Sequence, residues 1–379
     1  MPAIATLQSD HDDVINFLQR LYNHENHGRD VERFDTRSSV VFLNGGLAYK
    51  LKRNVCYGDI DYSTAELRQE ACEKEITLNR RTAPELYLGV RSICRLPTGI
   101  LAFDGPGEAV DYVVVMRRFE YDMLFHKMAE SKRLTLALIQ ELGKVIAKFH
   151  ARSKVLPPEY GGEIMMSHLV SASIRELWRY ADWLDNVNVT RLSRYLQTAL
   201  MRVAPVLDER RRAGKIRCCH GDLRLKNICL WNNKPAPFNA VEFDNEATCI
   251  DVLYDLSLPL VELYVRGDGD LARALLDAYL ARSPERGAEV VLPFFMALQA
   301  ALCACALASS AGGEADDVQV QRRYDEARQY VSLGSGFLSS LGVPKLFTFS
   351  QPLKSAHIVH RDIRGRNQIG SEYRFDVHA

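Results

Sequence analysis

The sequence predicts an α+β protein in which a strand-rich N-terminal lobe precedes a mainly helical C-terminal lobe. Between about residues 38 and 116, short runs of β-branched and aromatic residues alternate with turns rich in Gly, Pro and Asn, a pattern typical of strands. Beyond residue 120, long segments repeat apolar residues at helical spacing. The predicted divisions are an N-terminal lobe over residues 1–120, a helical lobe over 121–345 and a polar tail over 346–379.

The N-terminal lobe is predicted to contain a hairpin, a helix and three further strands. In "SVVFLNGGLAYKLK", two β-rich runs flank Asn44-Gly45-Gly46, residues that tolerate the positive φ of a hairpin turn. The segment "STAELRQEACEKEITLNRR" indicates a helix, with Ser63 and Glu66 spaced as a capping box. The three strand-like runs that follow are "LYLGVRSICRL", "GILAF" and "VDYVVVMRRF". Before the hairpin, Val14, Phe17, Leu18 and Leu21 recur at helical spacing.

The helical lobe contains one segment apolar enough to be weighed as a membrane span. This is "VVLPFFMALQAALCACALA", residues 290–308, which Pro293 and Gln299 interrupt. No cluster of basic residues flanks it, so a central helix of a helical domain is the better interpretation. The N-terminus lacks a basic start before an apolar run, which argues against a signal peptide.

Charge and cysteine content exclude several classes of partner. Lys plus Arg and Asp plus Glu both number 48, so no net field favours nucleic acid or an anionic membrane. The nine cysteines form no C-x-x-C pair and suggest neither a zinc site nor a disulfide framework. We therefore expect a cytoplasmic protein with reduced thiols and no nucleic-acid or membrane partner; its oligomeric state is left open.

The segment "HGDLRLKN", residues 220–227, carries the chemistry that the sequence suggests. Asp222 and Asn227 lie five residues apart on a tight loop between apolar runs, so both side chains can face one cleft. A carboxylate can orient a hydroxyl or accept its proton, and an amide oxygen suits Mg²⁺. Mg²⁺ then needs a carboxylate ligand, which the acidic cluster "AVEFDNE", residues 240–246, can supply.

These motifs, with "CIDVLYDLSLPL" after the acidic cluster, resemble the aminoglycoside phosphotransferase and choline kinase-like family. "AYKLKR" resembles its nucleotide-lysine strand and "ACEKEITLNRR" the helix that carries the lysine's glutamate partner. The resemblance implies a two-lobed protein-kinase-like fold over roughly residues 38–310. More narrowly, "VFLNGGLAYKLKR" and "LNRRTAPELYLGV" resemble the phosphotransferase domain that some bacterial proteins fuse to a P-loop kinase domain. No G-x-x-x-x-G-K-[ST] motif occurs in this sequence, so we expect that domain to be absent here.

The resemblance implies a nucleotide site for ATP. Lys50 matches the lysine that contacts the α- and β-phosphates, although Lys52 points to the same side of the strand. Its ion-pair partner is expected to be Glu75, with Glu70 as the alternative. Met116, near the end of the last predicted strand, is a further residue expected to contact the nucleotide.

The resemblance also implies a catalytic base and a Mg²⁺ site. Asp222 matches the base and Asn227 a metal ligand. Asp244 is our choice for the second ligand and Glu242 its rival, because the spacing back from the downstream Asp pair, Asp251 and Asp255, falls on neither. In addition, Asn239 stands where the fused relatives are expected to have Asp.

The sequence thus predicts a kinase that transfers the γ-phosphoryl group of ATP to a hydroxyl of a small molecule. Two alternatives stay open: a nucleotide-binding pseudokinase-like regulator, and a protein kinase, which His-Gly-Asp and the missing A-P-E segment disfavour. Acidic residues that could serve an aminated acceptor are Glu163, Glu176, Asp182, Asp185 and Glu262. A second His-Asp-Asn series at the same spacing, His360, Asp362 and Asn367, lies in the tail without a preceding strand and is expected not to be catalytic.

Overall fold

The computed structural model of the protein describes residues 10–20, 32–242, 248–312 and 316–339. Its N-terminal lobe is built on a six-stranded sheet in which every neighbouring pair is antiparallel. The strands are β1 Glu32–Asp35, β2 Ser39–Asn44, β3 Leu47–Lys52, β6 Tyr87–Arg95, β7 Leu101–Phe103 and β8 Glu108–Arg117. Their order is β1-β2-β3-β8-β6-β7. Two short strands, β4 Cys56–Tyr57 and β5 Ile60–Asp61, form a separate ribbon.

The predicted hairpin joins β2 to β3, with Gly45 at φ +52° in its turn. Successive side chains along each strand point to opposite faces of the sheet. One face packs against helix α1, residues 10–20, where Val14 and Leu18 are fully buried. The other face packs against helix α2, Ala65–Asn79. The sheet therefore lies between two helices, and α2 lies on the face that carries the candidate site.

Helix α2 begins one residue later than a capping box at Ser63 requires. Thr64 is the N-cap, and its hydroxyl accepts a hydrogen bond from the Leu67 amide at 3.3 Å. The Ser63 hydroxyl instead donates to Asp61 at 2.6 Å. The prediction that Ser63 is the N-cap is wrong, because the Asp61 carboxylate accepts the hydrogen bond of its hydroxyl. Thr64 caps the helix instead.

The helical lobe contains nine helices in the described residues. They are α3 Phe125–Glu130, α4 Leu136–Arg152, α5 Gly162–Arg179, α6 Ala181–Leu184, α7 Asn186–Arg212, α8 Val252–Val265, α9 Gly269–Arg282, α10 Ala288–Ala311 and α11 Asp317–Ser339. Helix α10 is long and apolar enough to cross a membrane, but 78% of its most apolar window is buried inside the protein. It packs against α11, α8, α7 and α5, so it is the central helix of this lobe.

A small strand-rich insert lies among the helices and holds the candidate loop. Strand β9, Ile216–Cys218, pairs with β12, Cys249–Asp251, and β10, Ile228–Trp231, pairs with β11, Lys234–Pro237. The β10–β11 turn contains Asn232 and Asn233, both at positive φ. Residues 219–227 thus connect two ribbons at the base of the N-terminal lobe. The predicted α+β class, strands first and helices after, is confirmed.

Candidate active site

A cleft of about 400 Å³ separates the two lobes and brings most of the predicted site residues together. Its floor is apolar, with Val41, Ala48 and Leu124 among the lining side chains. The predicted site residues that line it are Lys50, Glu75, Met116, Asp222, Asn227 and Glu242. Asp244 lies outside the described residues, and its role stays a prediction. A larger cavity of about 580 Å³, between residues 81–86 and the β10–β11 hairpin, contains none of them.

Asp222 is held in the cleft by two neighbours from its own loop. Its Oδ1 accepts a hydrogen bond from Arg224 Nε at 3.0 Å, and its Oδ2 accepts one from Asn227 Nδ2 at 2.8 Å. Arg224 therefore forms an ion pair with the carboxylate and is not a freely solvated side chain. Asp222 is partly exposed to the cleft, so an incoming hydroxyl can reach it.

The Asp255 carboxylate holds the backbone of the candidate loop, residues 220–227, at its first two residues. It is buried, and its two oxygens accept the amide hydrogens of His220 at 3.1 Å and Gly221 at 3.0 Å. His150 Nε2 lies 3.0 Å from the same carboxylate, and the Tyr279 hydroxyl lies 3.0 Å from His150 Nδ1. Burial alone would raise the pKa of Asp255, but the hydrogen bond and charge of His150 and the backbone donors lower it. The anchor is therefore an ionised carboxylate at neutral pH.

His150, Cys219 and Asp255 also form a cluster of possible metal ligands, all of them buried. Their polar atoms are already used within the fold, since Cys219 Sγ donates to the Ile250 carbonyl at 3.5 Å and His150 pairs with Asp255. His220 likewise serves the backbone: its Nε2 lies 3.0 Å from the Phe238 carbonyl oxygen. The cluster thus anchors the catalytic loop.

Lys50 faces the cleft and contacts Glu75, whereas Glu70 lies exposed on the other side of α2. Lys50 Nζ lies 2.8 Å from Glu75 Oε1. Glu75 is on the buried face of α2, together with Arg68, which pairs with Asp111. This polar face explains why the helix shows little amphipathic pattern. Of the two glutamates that the sequence offered, the structure places Glu75 against the lysine.

Lys52, two residues along β3, is buried and contacts two carboxylates. Its Nζ lies 2.5 Å from Glu75 Oε2 and also forms an ion pair with Glu242. The Tyr62 hydroxyl donates to Glu242 Oε1 at 3.1 Å. Burial would lower the pKa of Lys52, but the charges of Glu242 and Glu75 raise it well above the usual value. Lys52 is therefore a buried cation, and it fixes Glu242 in place.

The sequence analysis did not predict the network that Lys52 of strand β3 forms with Glu75, Glu242 and Tyr62. The indication that the sequence contains is strand alternation, which places Lys52 on the same side of β3 as Lys50. No sequence pattern indicated a role for Tyr62, because this residue lies outside any helix or strand and contacts Glu242 only in the folded chain. Glu242, considered above as a metal ligand, is paired with Lys52 in the structure.

Only one of the five acidic residues considered for an aminated acceptor lies at the catalytic loop. Glu262 accepts the Leu225 amide hydrogen at 2.6 Å, and burial raises its pKa against the opposing charge of Arg224. Glu163, Asp182 and Asp185 are exposed on helices α5–α7, and Glu176 pairs with Arg179. The structure therefore does not bring together an acidic acceptor pocket from these residues.

Comparison with known proteins identifies the class to which this site belongs. The sequence model of the phosphotransferase enzyme family matches residues 66–290, more than half of the chain, so the chain belongs to that family. The resemblance inferred from the motifs is thus confirmed.

The similar proteins include two from mycobacteria. The uncharacterized proteins Rv2004c of Mycobacterium tuberculosis (strain ATCC 25618 / H37Rv) and Mb2027c of Mycobacterium bovis (strain ATCC BAA-935 / AF2122/97) are each 28% identical over 272 residues. The match covers 70% of this chain and 52% of each relative, so the chain spans about half the length of these proteins.

Similar solved structures include a choline/ethanolamine kinase family protein from Mesorhizobium loti, with 15% identity and a TM-score of 0.48. That match covers 87% of this chain and 99% of the other. A thermostable mutant of aminoglycoside phosphotransferase APH(4)-Ia gives 12% identity and a TM-score of 0.49, covering 86% and 100%.

Proposed function

We propose that the protein transfers the γ-phosphoryl group of ATP to a hydroxyl of a small molecule in the cytoplasm, with Mg²⁺ and without a nucleic-acid or membrane partner. The observation that carries this proposal is the convergence of the Lys50–Glu75 ion pair, Asp222 and Asn227 on one cleft. Phosphoryl transfer relies on positioning and electrostatics, so these few groups suffice for it.

Each group has a task that its contacts support. Lys50, fixed by Glu75, presents an ammonium group to the nucleotide phosphates. Met116 and Ala48 offer an apolar surface for the base. Asp222 accepts a hydrogen bond from the acceptor hydroxyl and then its proton. The amide oxygen of Asn227 suits Mg²⁺, which when bound would neutralise phosphate charge.

The test is an acceptor screen. The protein is incubated with ATP, Mg²⁺ and a panel of hydroxylated compounds that includes neutral sugars, amino sugars and amino alcohols. We expect ADP release above the acceptor-free rate for one of these classes, with a phosphorylated product detected by mass spectrometry. The deoxy analogue of the active compound is the control. Tight ATP binding without turnover of any class would instead favour the non-catalytic alternative.

That alternative is a nucleotide-binding pseudokinase-like regulator, and one observation favours it. The side chain that touches both Lys50 and Asn227 is the neutral amide of Asn239, at 2.9 and 3.3 Å, where a kinase needs a metal-binding carboxylate. The retained Asp222 favours catalysis. Product formation in the acceptor screen distinguishes the two functions.

Replacing Lys50 with methionine is expected to weaken ATP binding by about ten- to a hundredfold. A hydrogen bond to a charged group contributes about 1.5–3 kcal/mol, and methionine keeps the length of the side chain without the charge. Isothermal titration calorimetry with Mg²⁺-ATP measures the effect, and the unfolding midpoint confirms that the variant is folded. Unchanged affinity would mean that Lys50 does not contact the phosphates.

A further inference from the structure

We propose that Asn239 occupies the position of the second protein ligand to Mg²⁺ in the nucleotide site. Its neutral side chain limits the affinity of this site for Mg²⁺. This inference rests on the proposed nucleotide-binding function. It replaces Asp244, the choice from the sequence, with a residue that the structure places in the cleft. It also predicts that a single substitution strengthens cation binding.

The first argument is position. Asn239 Oδ1 accepts a hydrogen bond from Lys50 Nζ at 2.9 Å, and Asn239 Nδ2 donates to Asn227 Oδ1 at 3.3 Å. Lysine is only a donor, so the contact with Lys50 fixes which amide atom is the oxygen. A cation held by Asn227 beside the phosphates that Lys50 would bind would lie close to both of these side chains. Asn239 is the side chain that spans the gap between them.

The second argument is that the position is firmly held. Asn239 has φ +59°, a left-handed conformation that asparagine tolerates better than most residues. Its amide donates to the Tyr87 hydroxyl at 3.1 Å. The next amide, of Ala240, donates to Asn79 Oδ1 at 2.8 Å. The backbone is therefore fixed on both sides, and aspartate fits the same conformation.

The third argument is charge. Three carboxylates that line the cleft are matched in number by the three cations with which they pair: Glu75 pairs with Lys50 and Lys52, Glu242 with Lys52, and Asp222 with Arg224. Cation affinity of an oxygen site rises with the number of charged ligands. An uncharged amide at position 239 therefore leaves the site short of negative charge.

The test is the Mg²⁺ concentration at the midpoint of ATP binding, measured by calorimetry for the wild type, Asn239→Asp, Asn239→Ala and Asp244→Asn. Asn239→Asp is expected to lower this midpoint about tenfold, because the new carboxylate is isosteric and lies beside Asn227. Asn239→Ala removes the amide without adding charge and should not lower the midpoint. Asp244→Asn is the matched carboxylate control and should change it less than about twofold.

A second measurement separates this inference from the proposed function. Mn²⁺ binding without nucleotide, followed by electron paramagnetic resonance, should also strengthen about tenfold in Asn239→Asp. If no variant binds ATP but Asn239→Asp gains Mn²⁺ binding, the nucleotide function fails and the cation position is supported. If Asn239→Asp gains neither, or if Asp244→Asn abolishes the Mg²⁺ dependence, the cation position is not at Asn239.

Discussion

The variant Asp222→Asn is expected to lose phosphoryl transfer by roughly 10²–10⁴-fold in kcat, the usual contribution of a general base. Asparagine preserves the size of the side chain, and its oxygen can still accept the hydrogen bond from Arg224. It cannot accept the proton of the acceptor hydroxyl at neutral pH. ATP affinity should change little, because Asp222 acts on the acceptor. Steady-state kinetics with the acceptor from the screen, and calorimetry with Mg²⁺-ATP, measure the two effects.

The chain supplies a matched control for this experiment. Asp362 belongs to the second His-Asp-Asn series at the same spacing, and it lies outside the described residues. Asp362→Asn should retain wild-type kcat, because no strand-flanked loop is predicted there. Loss of activity in Asp362→Asn, with activity retained in Asp222→Asn, would assign the catalytic loop to the tail and contradict our interpretation.

Local patterns predicted the elements that surround the site. The alternation in "SVVFLNGGLAYKLK" and its Asn-Gly-Gly turn correspond to β2, β3 and the Gly45 turn. The apolar segment at 290–308 corresponds to the buried helix α10. These features depend on neighbours in sequence or on the burial of one continuous apolar surface, so the sequence alone carries them. The predicted N-cap of α2 was wrong by one residue, because the Ser63 hydroxyl donates to Asp61 and does not cap the helix.

The pairing of charges inside the site was less predictable. Helix α2 buries a polar face, so its pattern did not distinguish the buried Glu75 from the exposed Glu70. The Lys52–Glu242 ion pair joins residues 190 positions apart, and the Lys50–Asn239 contact joins residues 189 apart. Such partners are chosen by tertiary packing of the two lobes. The motifs identified the residue types, and the fold determined which of them meet.

Replacing Lys52 with methionine is expected to lower the free energy of unfolding by about 3–5 kcal/mol, the usual cost of leaving a buried charge without its partner. The Lys52 side chain is 1% exposed, and its loss removes the buried cation that pairs with Glu242, whereas the neutral Tyr62 hydroxyl still donates to that carboxylate. Glu75 is less affected because it retains Lys50. Urea denaturation should show a lower midpoint at an unchanged slope.

Two comparisons show whether the lost stability comes from the loss of the lysine charge beside Glu242. Lys50→Met, on the same strand, should destabilise less, because Lys50 is 14% exposed and Glu75 then retains Lys52. The double variant Lys52→Met with Glu242→Gln should recover part of the loss, since glutamine carries no charge that needs a partner. A double variant as unstable as Lys52→Met would mean that the lysine stabilises the fold through packing alone. Recovery would instead show that the charge of Lys52 compensates the buried charge of Glu242.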